Sequence, residues 1–278
     1  MVIEKLKSEI KKLELNEGNI IYEDFGGNGE TILCLPSLGD IRQEYRFLVT
    51  ILKEKGYRVI TMDLRGHGDS DTSFSSYSAD NIADDIIALL EKLAIKKVNL
   101  IGCSISGGAI ASVSARRSDL VNKIIMINPF AREMPNSNFI ITIGKILLTR
   151  PWGVFVWGLY YKSLYPTFKP NDFSNYLTYL KNTLAKKERL EATIKMFSAS
   201  KKNIESLLNK VTQDNMIIMG EKDIDFSNPL AEAELLSSML GKKAIIKVLD
   251  KLGHYPHAEN PEITGKLILD FLEGKNNV

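Results

Sequence analysis

Six short apolar runs, TILCLP, YRVITMD, VNLIG, KIIMIN, NMIIMG and AIIKVL, recur along this chain with helical stretches between them. The later runs are continuous rather than alternating. A strand buried on one face alternates apolar and polar residues, whereas a strand buried on both faces reads as an unbroken apolar run. Helical stretches at about 41–55, 80–94 and 105–117 separate the runs, which implies right-handed crossovers and parallel pairing. Ahead of them, KLEL and IIYEDF flank the turn signal NEGN at 16–19, so the first two strands are expected to form an antiparallel hairpin. The fold class this predicts is α/β: a mostly parallel sheet of about eight strands with helices on both faces.

The alternation stops between Pro129 and about Gln213, where helical periodicity and aromatics replace strand patterns. An insertion of this length between two sheet strands must fold over an edge or face of the sheet. Residues 131–211 are therefore expected to form a helical cap, with 1–130 and 212–278 as the core. Most of the cap aromatics should build its own interior. Some should line a pocket beneath it, because ligand sites are largely apolar and favour junctions between subdomains. Trp152, Trp157 and Tyr160 are the candidates. The segment FIITIGKILLTRPWGVFVWGLYY at 139–161 is strongly apolar, but Lys145, Arg150 and Pro151 interrupt it, so buried helices are expected rather than stable membrane insertion.

The chain has 278 residues, 36 of them basic and 34 acidic, a net charge of +2 that offers no footprint for nucleic acid. MVIEKLKSEIKK lacks the apolar core and cleavage site of a signal peptide, so a cytoplasmic location is expected. Cys34 and Cys103 sit in strand-like runs and give neither a disulfide framework nor metal-ligand spacing. Neither a metal nor a cofactor is called for. A small-molecule substrate is the expected partner, and a homodimer is an open option.

The run VNLIG leads directly into CSISGG. Ser104 follows two residues after Gly102, and Ser106 stands two residues further on, so small residues flank Ser104 at both positions. This is the pattern of a nucleophile elbow, in which a tight strand-to-helix turn projects the serine hydroxyl. Gly107, Gly108, Ala109 and Ala111 keep the following helix slim. Ser106 satisfies the bare spacing too, but it would need two more residues to cross the turn. Cys103 would be flanked by Ile101 and Ile105, both too bulky.

A serine hydroxyl needs a base within hydrogen-bond reach and a group to orient that base. Of three histidines, His67 lies in the tight turn DLRGHGDSD, where a structural role is favoured, while His254 and His257 follow the last strand in LGHYPHAENPE. Loops after parallel strands open on one sheet edge, where ligands bind. His254, directly after Gly253, is the better base; His257 suits packing or support. The strand NMIIMG runs into GEKDIDF, which offers Asp223 as the orienting acid and Asp225 as the fallback. The order Ser104, Asp223, His254 is one in which such triads occur.

Through LIGCSISGG, DLRGHGDSD, GEKD and GHYPHAENPE, the chain resembles the α/β-hydrolase fold superfamily over about residues 18–275. The resemblance implies a serine hydrolase with a helical cap, esterase- or lipase-like. Ser104 would attack an acyl carbon, His254 would shuttle the proton and Asp223 would hold its tautomer. Its substrates would be esters of small-to-medium apolar acids; thioesters, lactones, carbon–carbon bonds and acyl transfer are alternatives. Two departures stand out. Many relatives carry a His-Gly pair where LPSLGD has Pro36 and Ser37, and Pro36 has no N–H to donate. The oxyanion hole would then use the backbone N–H of Ile105 and one from Leu38 or Ser37. Ser106 stands where glycine is commoner; the superfamily's plant hormone receptors show a similar serine there, which keeps a ligand-binding role with negligible turnover as the other class.

The two serine frames make opposite predictions. Ser104→Ala is expected to abolish ester hydrolysis while Ser106→Ala retains it. The reverse result in a p-nitrophenyl ester assay transfers the role to Ser106.

Overall fold

The computed structural model describes residues 7–134 and 137–275. Among them, β1 (Glu9–Leu15), β2 (Gly18–Asp24), β3 (Thr31–Leu35), β4 (Arg58–Met62), β5 (Val98–Cys103), β6 (Val121–Ile127), β7 (Asp214–Gly220) and β8 (Ile245–Leu249) form one sheet. Their order is β1-β2-β4-β3-β5-β6-β7-β8. β1 and β2 form the antiparallel hairpin and β2 pairs antiparallel with β4; every later pairing is parallel. All six residues of β5 are buried. Along it, Val98 and Leu100 pack into one core while Ile101 and Cys103 pack into the other, the two-residue period of a strand covered on both faces. β8 departs from the expected burial: as the last strand in the order it is an edge, and Ile245 and Val248 are exposed.

The helices are α1 (Arg46–Glu54), α2 (Ala79–Lys92), α3 (Ile105–Arg116), α4 (Ser137–Leu147), α5 (Gly153–Ser163), α6 (Phe173–Leu184), α7 (Lys187–Phe197), α8 (Lys202–Leu207), α9 (Pro229–Met239), α10 (Pro256–Glu259) and α11 (Pro261–Leu272). One core joins the sheet to α2, α3, α8 and α9 through Ile82, Ile110, Ile204 and Leu236. The other joins it to α1 and α11 through Leu48, Leu52 and Ile268. α2 starts on a capping box, with Ser78 Oγ accepting the Asn81 N–H and Asn81 Oδ1 accepting the Ser78 N–H. α3 is buried from Ile105 to Ser114, which its small side chains permit.

Between β6 and β7 the chain forms α4 to α8 and no strand among the described residues. α8 packs on α3, so the end of this stretch belongs with the core layer. No described helix is long and apolar enough to cross a membrane; the apolar segment at 139–161 is divided between α4 and α5. The insertion is anchored by polar contacts to the core. Asp40, wholly buried on the loop after β3, accepts the Tyr161 hydroxyl from α5 at 2.8 Å and the Tyr176 hydroxyl from α6 at 2.5 Å. Arg46 of α1 grips Asp172 with two bonds of 2.6 and 2.8 Å, while its guanidinium lies over the Tyr176 ring. Gly39, with φ of +74°, leaves room that the Trp157 indole fills; a Cβ there would collide with the ring.

Burial, and next the nearby Glu44, raise the Asp40 pKa to about 7. The unfolded chain loses this proton near the ordinary aspartate value of about 4, so the folded state holds an extra proton between that value and about 7. Stability contributed by Asp40 therefore falls as pH rises across that window and levels off above it. Thermal melts of wild type and Asp40→Asn are expected to show the wild type losing ground to the variant from about pH 4 to about 7. A difference that grows in favour of the wild type with pH contradicts this.

Candidate active site

Ser104 stands alone between the end of β5 and the start of α3, with φ 56° and ψ −121°. A non-glycine residue in such a region costs about 1–3 kcal/mol and persists only when its surroundings fix it. Here its N–H donates to Ile127 C=O at 2.9 Å, and its own carbonyl accepts the N–H groups of Gly107 and Phe130, each at 3.0 Å. Strand and helix pass so closely that a Cβ on Gly102 would meet the Ser106 carbonyl oxygen at 2.5 Å. The rival frames point elsewhere. The Ser106 hydroxyl is buried and donates to Pro36 C=O at 2.5 Å. The Cys103 thiol is buried against His254 C=O, and burial pushes its pKa well above the usual thiol range.

Asp223 and His254 meet beyond the ends of β7 and β8, with Asp223 Oδ2 at 2.7 Å from His254 Nδ1. Both are buried. Asp225 lies further from the same nitrogen, at 3.6 Å, and accepts the Tyr160 hydroxyl on both oxygens, at 2.9 and 2.7 Å. Its backbone N–H donates to Asp223 Oδ1 at 3.0 Å, which fixes the inner carboxylate. Burial pulls the His254 pKa down, but the Asp223 carboxylate, and then Asp225, outweigh it and raise it to about 9. The His254 N–H donates to Leu164 C=O at 3.0 Å, tying the base loop to the end of α5.

One residue absent from the sequence-based set organises this edge. Asn128, just past β6, adopts φ 43°, a region that asparagine tolerates better than most residues. Its Oδ1 accepts the Gly220 N–H at 2.9 Å, while Nδ2 donates to the carbonyls of Gly253 and His254 at 3.2 and 2.9 Å. It thus joins the ends of β6 and β7 and the histidine loop. An asparagine closing an apolar run was the available signal. His67 is buried, bonds Arg65 C=O through Nδ1 at 2.9 Å and faces Thr193 through Nε2 at 3.4 Å. Burial lowers its pKa to about 4. His257 lies beneath the site against Glu44 and stacks on Tyr45.

The expected oxyanion donors separate. Ser37 is corrected: its N–H already donates to Glu44 Oε2 at 2.7 Å, so it has no free donor to offer an anion. Among the described residues, neither Leu38 N–H nor Ile105 N–H makes a hydrogen bond. Both residues line the same cavity as Ser104 and His254. This cavity of about 550 Å³ is walled mainly by apolar side chains, including Phe130, Ile140, Leu148, Met196 and Ile224. Trp157 and Tyr160 are part of the wall. Trp152 is not: its indole is half exposed, and Nε1 turns back to cap Ile146 C=O at 3.2 Å. Lys201 also lines the cavity; burial lowers its pKa against the pull of Glu133.

Among the described residues, two clusters hold potential metal donors within 4.8 Å of one another, Asp223/Asp225/His254 and Glu44/Cys103/His257. In each, carboxylate and imidazole atoms are already paired with each other. The Ser104 hydroxyl makes no hydrogen bond among the described residues. Catalytic hydrogen bonds of this kind often tighten only when substrate is bound.

Residues 30–210 match the family model of the alpha/beta hydrolase fold. A 2-hydroxy-6-oxononadienedioate/2-hydroxy-6-oxononatrienedioate hydrolase of Pseudomonas putida is 25% identical, covering 91% of this chain and 92% of its own. The Karrikin insensitive 2 receptor IA of Petunia hybrida is 28% identical over 94% of each chain. Among solved structures, a bromoperoxidase from Bacillus anthracis superposes with a TM-score of 0.81 at 21% identity, covering 96% of this chain and 100% of its own.

To accept a proton, His254 must be neutral. The kcat/KM for a neutral ester is therefore expected to rise with pH through a limb above the ordinary imidazole value of about 6.5. Its position should approach about 9. Asp225→Asn removes one of the charges that raise it and should move the limb down. A wild-type limb at or below about 6.5, or an unmoved limb in the variant, contradicts this account of the charges.

Proposed function

Because the chain belongs to the α/β-hydrolase family, we propose that it is a serine hydrolase that cleaves esters of apolar acids through an acyl-enzyme. The observation that carries the proposal is the buried 2.7 Å contact between Asp223 and His254, whose imidazole lines the same cavity as a serine with φ 56°. In the proposed sequence, Ser104 Oγ attacks the acyl carbon while His254 Nε2 takes the hydroxyl proton. Asp223 holds Nδ1–H and stabilises the imidazolium. The tetrahedral oxyanion draws on the Ile105 and Leu38 N–H groups. Return of the proton from His254 to the departing alcohol leaves the acyl-enzyme, and water deprotonated by His254 then releases the acid.

The apolar wall supports acyl chains of moderate length, and residues 131–211, treated as the cap, supply much of that wall. Serine at position 104 favours acyl-enzyme chemistry over the carboxylate-nucleophile chemistry of epoxide hydrolases. Thioesters, lactones, carbon–carbon cleavage and acyl transfer would use the same groups. A second reading, ligand binding with negligible turnover, is favoured by the petunia receptor's similarity over nearly the full length of both chains.

Fluorophosphonate is expected to label Ser104 in the folded protein, and a serine that stays unlabelled removes the foundation of the catalytic reading. On p-nitrophenyl esters from acetate to decanoate, kcat/KM is expected to climb with chain length before it levels off. A flat profile counts against the apolar pocket, and tight ligand binding without multiple turnovers favours the receptor reading.

A further inference from the structure

The geometry points to Glu44 as a positioning residue that selects the second oxyanion donor, with His257 holding it in place. This inference rests on the hydrolase reading above. Glu44 lies on a short 3-10 turn, Arg42–Tyr45, and is 1% exposed. Its Oε2 accepts the Ser37 N–H at 2.7 Å and the Ser37 hydroxyl at 3.0 Å. Its Oε1 faces His257 Nε2 at 3.0 Å.

A backbone N–H points one way only, and this one is drawn onto the carboxylate. The next N–H along the chain, that of Leu38, is left without an acceptor among the described residues, in a residue that lines the cavity. Glu44 thereby decides which peptide of the loop can serve an anion. The surrounding bonds hold the loop from other sides. Ser106 Oγ donates to Pro36 C=O, and the Tyr255 hydroxyl meets Ser37 Oγ at 2.7 Å. Since the Ser37 hydroxyl proton goes to Glu44, Tyr255 is the donor of that bond. His257 Nδ1 is buried without a hydrogen-bond partner among the described residues, so the imidazole proton belongs on Nε2, where it has an acceptor. A loop with proline at 36 cannot be held by that residue's own N–H. Here it is held by the Pro36 carbonyl and the following N–H instead.

The test compares variants of the full-length protein by the rate of fluorophosphonate labelling and by steady-state hydrolysis of p-nitrophenyl butyrate. Glu44→Met keeps the volume but removes the acceptor. Loss of an oxyanion donor typically costs about a hundredfold to a thousandfold in kcat, so labelling rate and kcat are both expected to fall by about a hundredfold. KM should stay within about threefold, because the lost interaction is made only in the transition state.

Glu44→Gln can still accept from Ser37 through its carbonyl, while its NH₂ meets His257 in the other tautomer; this variant is expected to recover activity to within about fivefold of wild type. A Glu44→Met protein labelled at the wild-type rate overturns the inference, as does a Gln variant as impaired as the Met variant. If circular dichroism shows that Glu44→Met does not fold, Ser37→Ala carries the test, since it removes one donor without stranding a buried charge. Its expected effect is a drop in kcat of about threefold to tenfold at constant KM. An unchanged kcat overturns the inference. A wild type that takes no label overturns the hydrolase reading and this inference with it, whereas a labelled wild type with an indifferent Glu44→Met overturns this inference alone.

Discussion

The turn at Ser104 can exist only because β5 and α3 approach until backbone atoms touch. With the Ser106 carbonyl 2.5 Å from where a Gly102 Cβ would stand, any side chain at 102 would push the helix off the sheet. The serine would then lose the contacts that hold its backbone at φ 56°. The rest of the site depends on this approach. It buries α3 against the sheet, leaves Ile105 N–H at the first turn of a helix without an internal partner, and carries Ser106 to the carbonyl of Pro36. One steric constraint therefore fixes the proposed nucleophile, one proposed oxyanion donor and an anchor for the loop that carries the other.

What could be read from the sequence was what local chemistry determines. Continuous apolar runs gave the parallel strands, and only β8 departed, because strand order rather than composition decides which strand is an edge. The frame of the elbow was legible because small residues at fixed spacing have few other uses. Closeness to the strand end ranks Asp223 ahead of Asp225, and the two carboxylates lie 2.7 and 3.6 Å from the same imidazole nitrogen. Ser37 was misjudged because the partner of its N–H, Glu44, comes from the turn that follows the loop, and no composition rule gives the direction of a peptide plane. Trp152 was misjudged because an aromatic residue in an insertion carries no mark of which side it faces; its indole closes the end of α4 instead. Asn128 read as a residue ending a strand. Its role emerges only when three chain segments converge on one amide.

The helices inserted between β6 and β7 and the loop after β3 are not independent parts. Gly39 and Asp40 follow the loop residues directly; one receives the Trp157 ring and the other binds the Tyr161 and Tyr176 hydroxyls. A buried carboxylate is tolerable there because its oxygens are matched by donors, and its raised pKa reflects what burial still costs. Pocket shape and the proposed anion site thus share a mechanical link of a few residues.

Asn128 and its neighbours have a further consequence. Ile127 accepts the Ser104 N–H, Phe130 donates to the Ser104 carbonyl, and the Asn128 side chain binds the acid-bearing and base-bearing loops. Every one of these bonds to position 104 is made by main-chain atoms. The location of residue 104 is therefore set by the main chain, and a different side chain could be installed there without breaking these bonds. Place and reactivity are separate properties in such a scaffold: the main chain sets where the side chain at 104 stands, and the side chain alone sets what it can do.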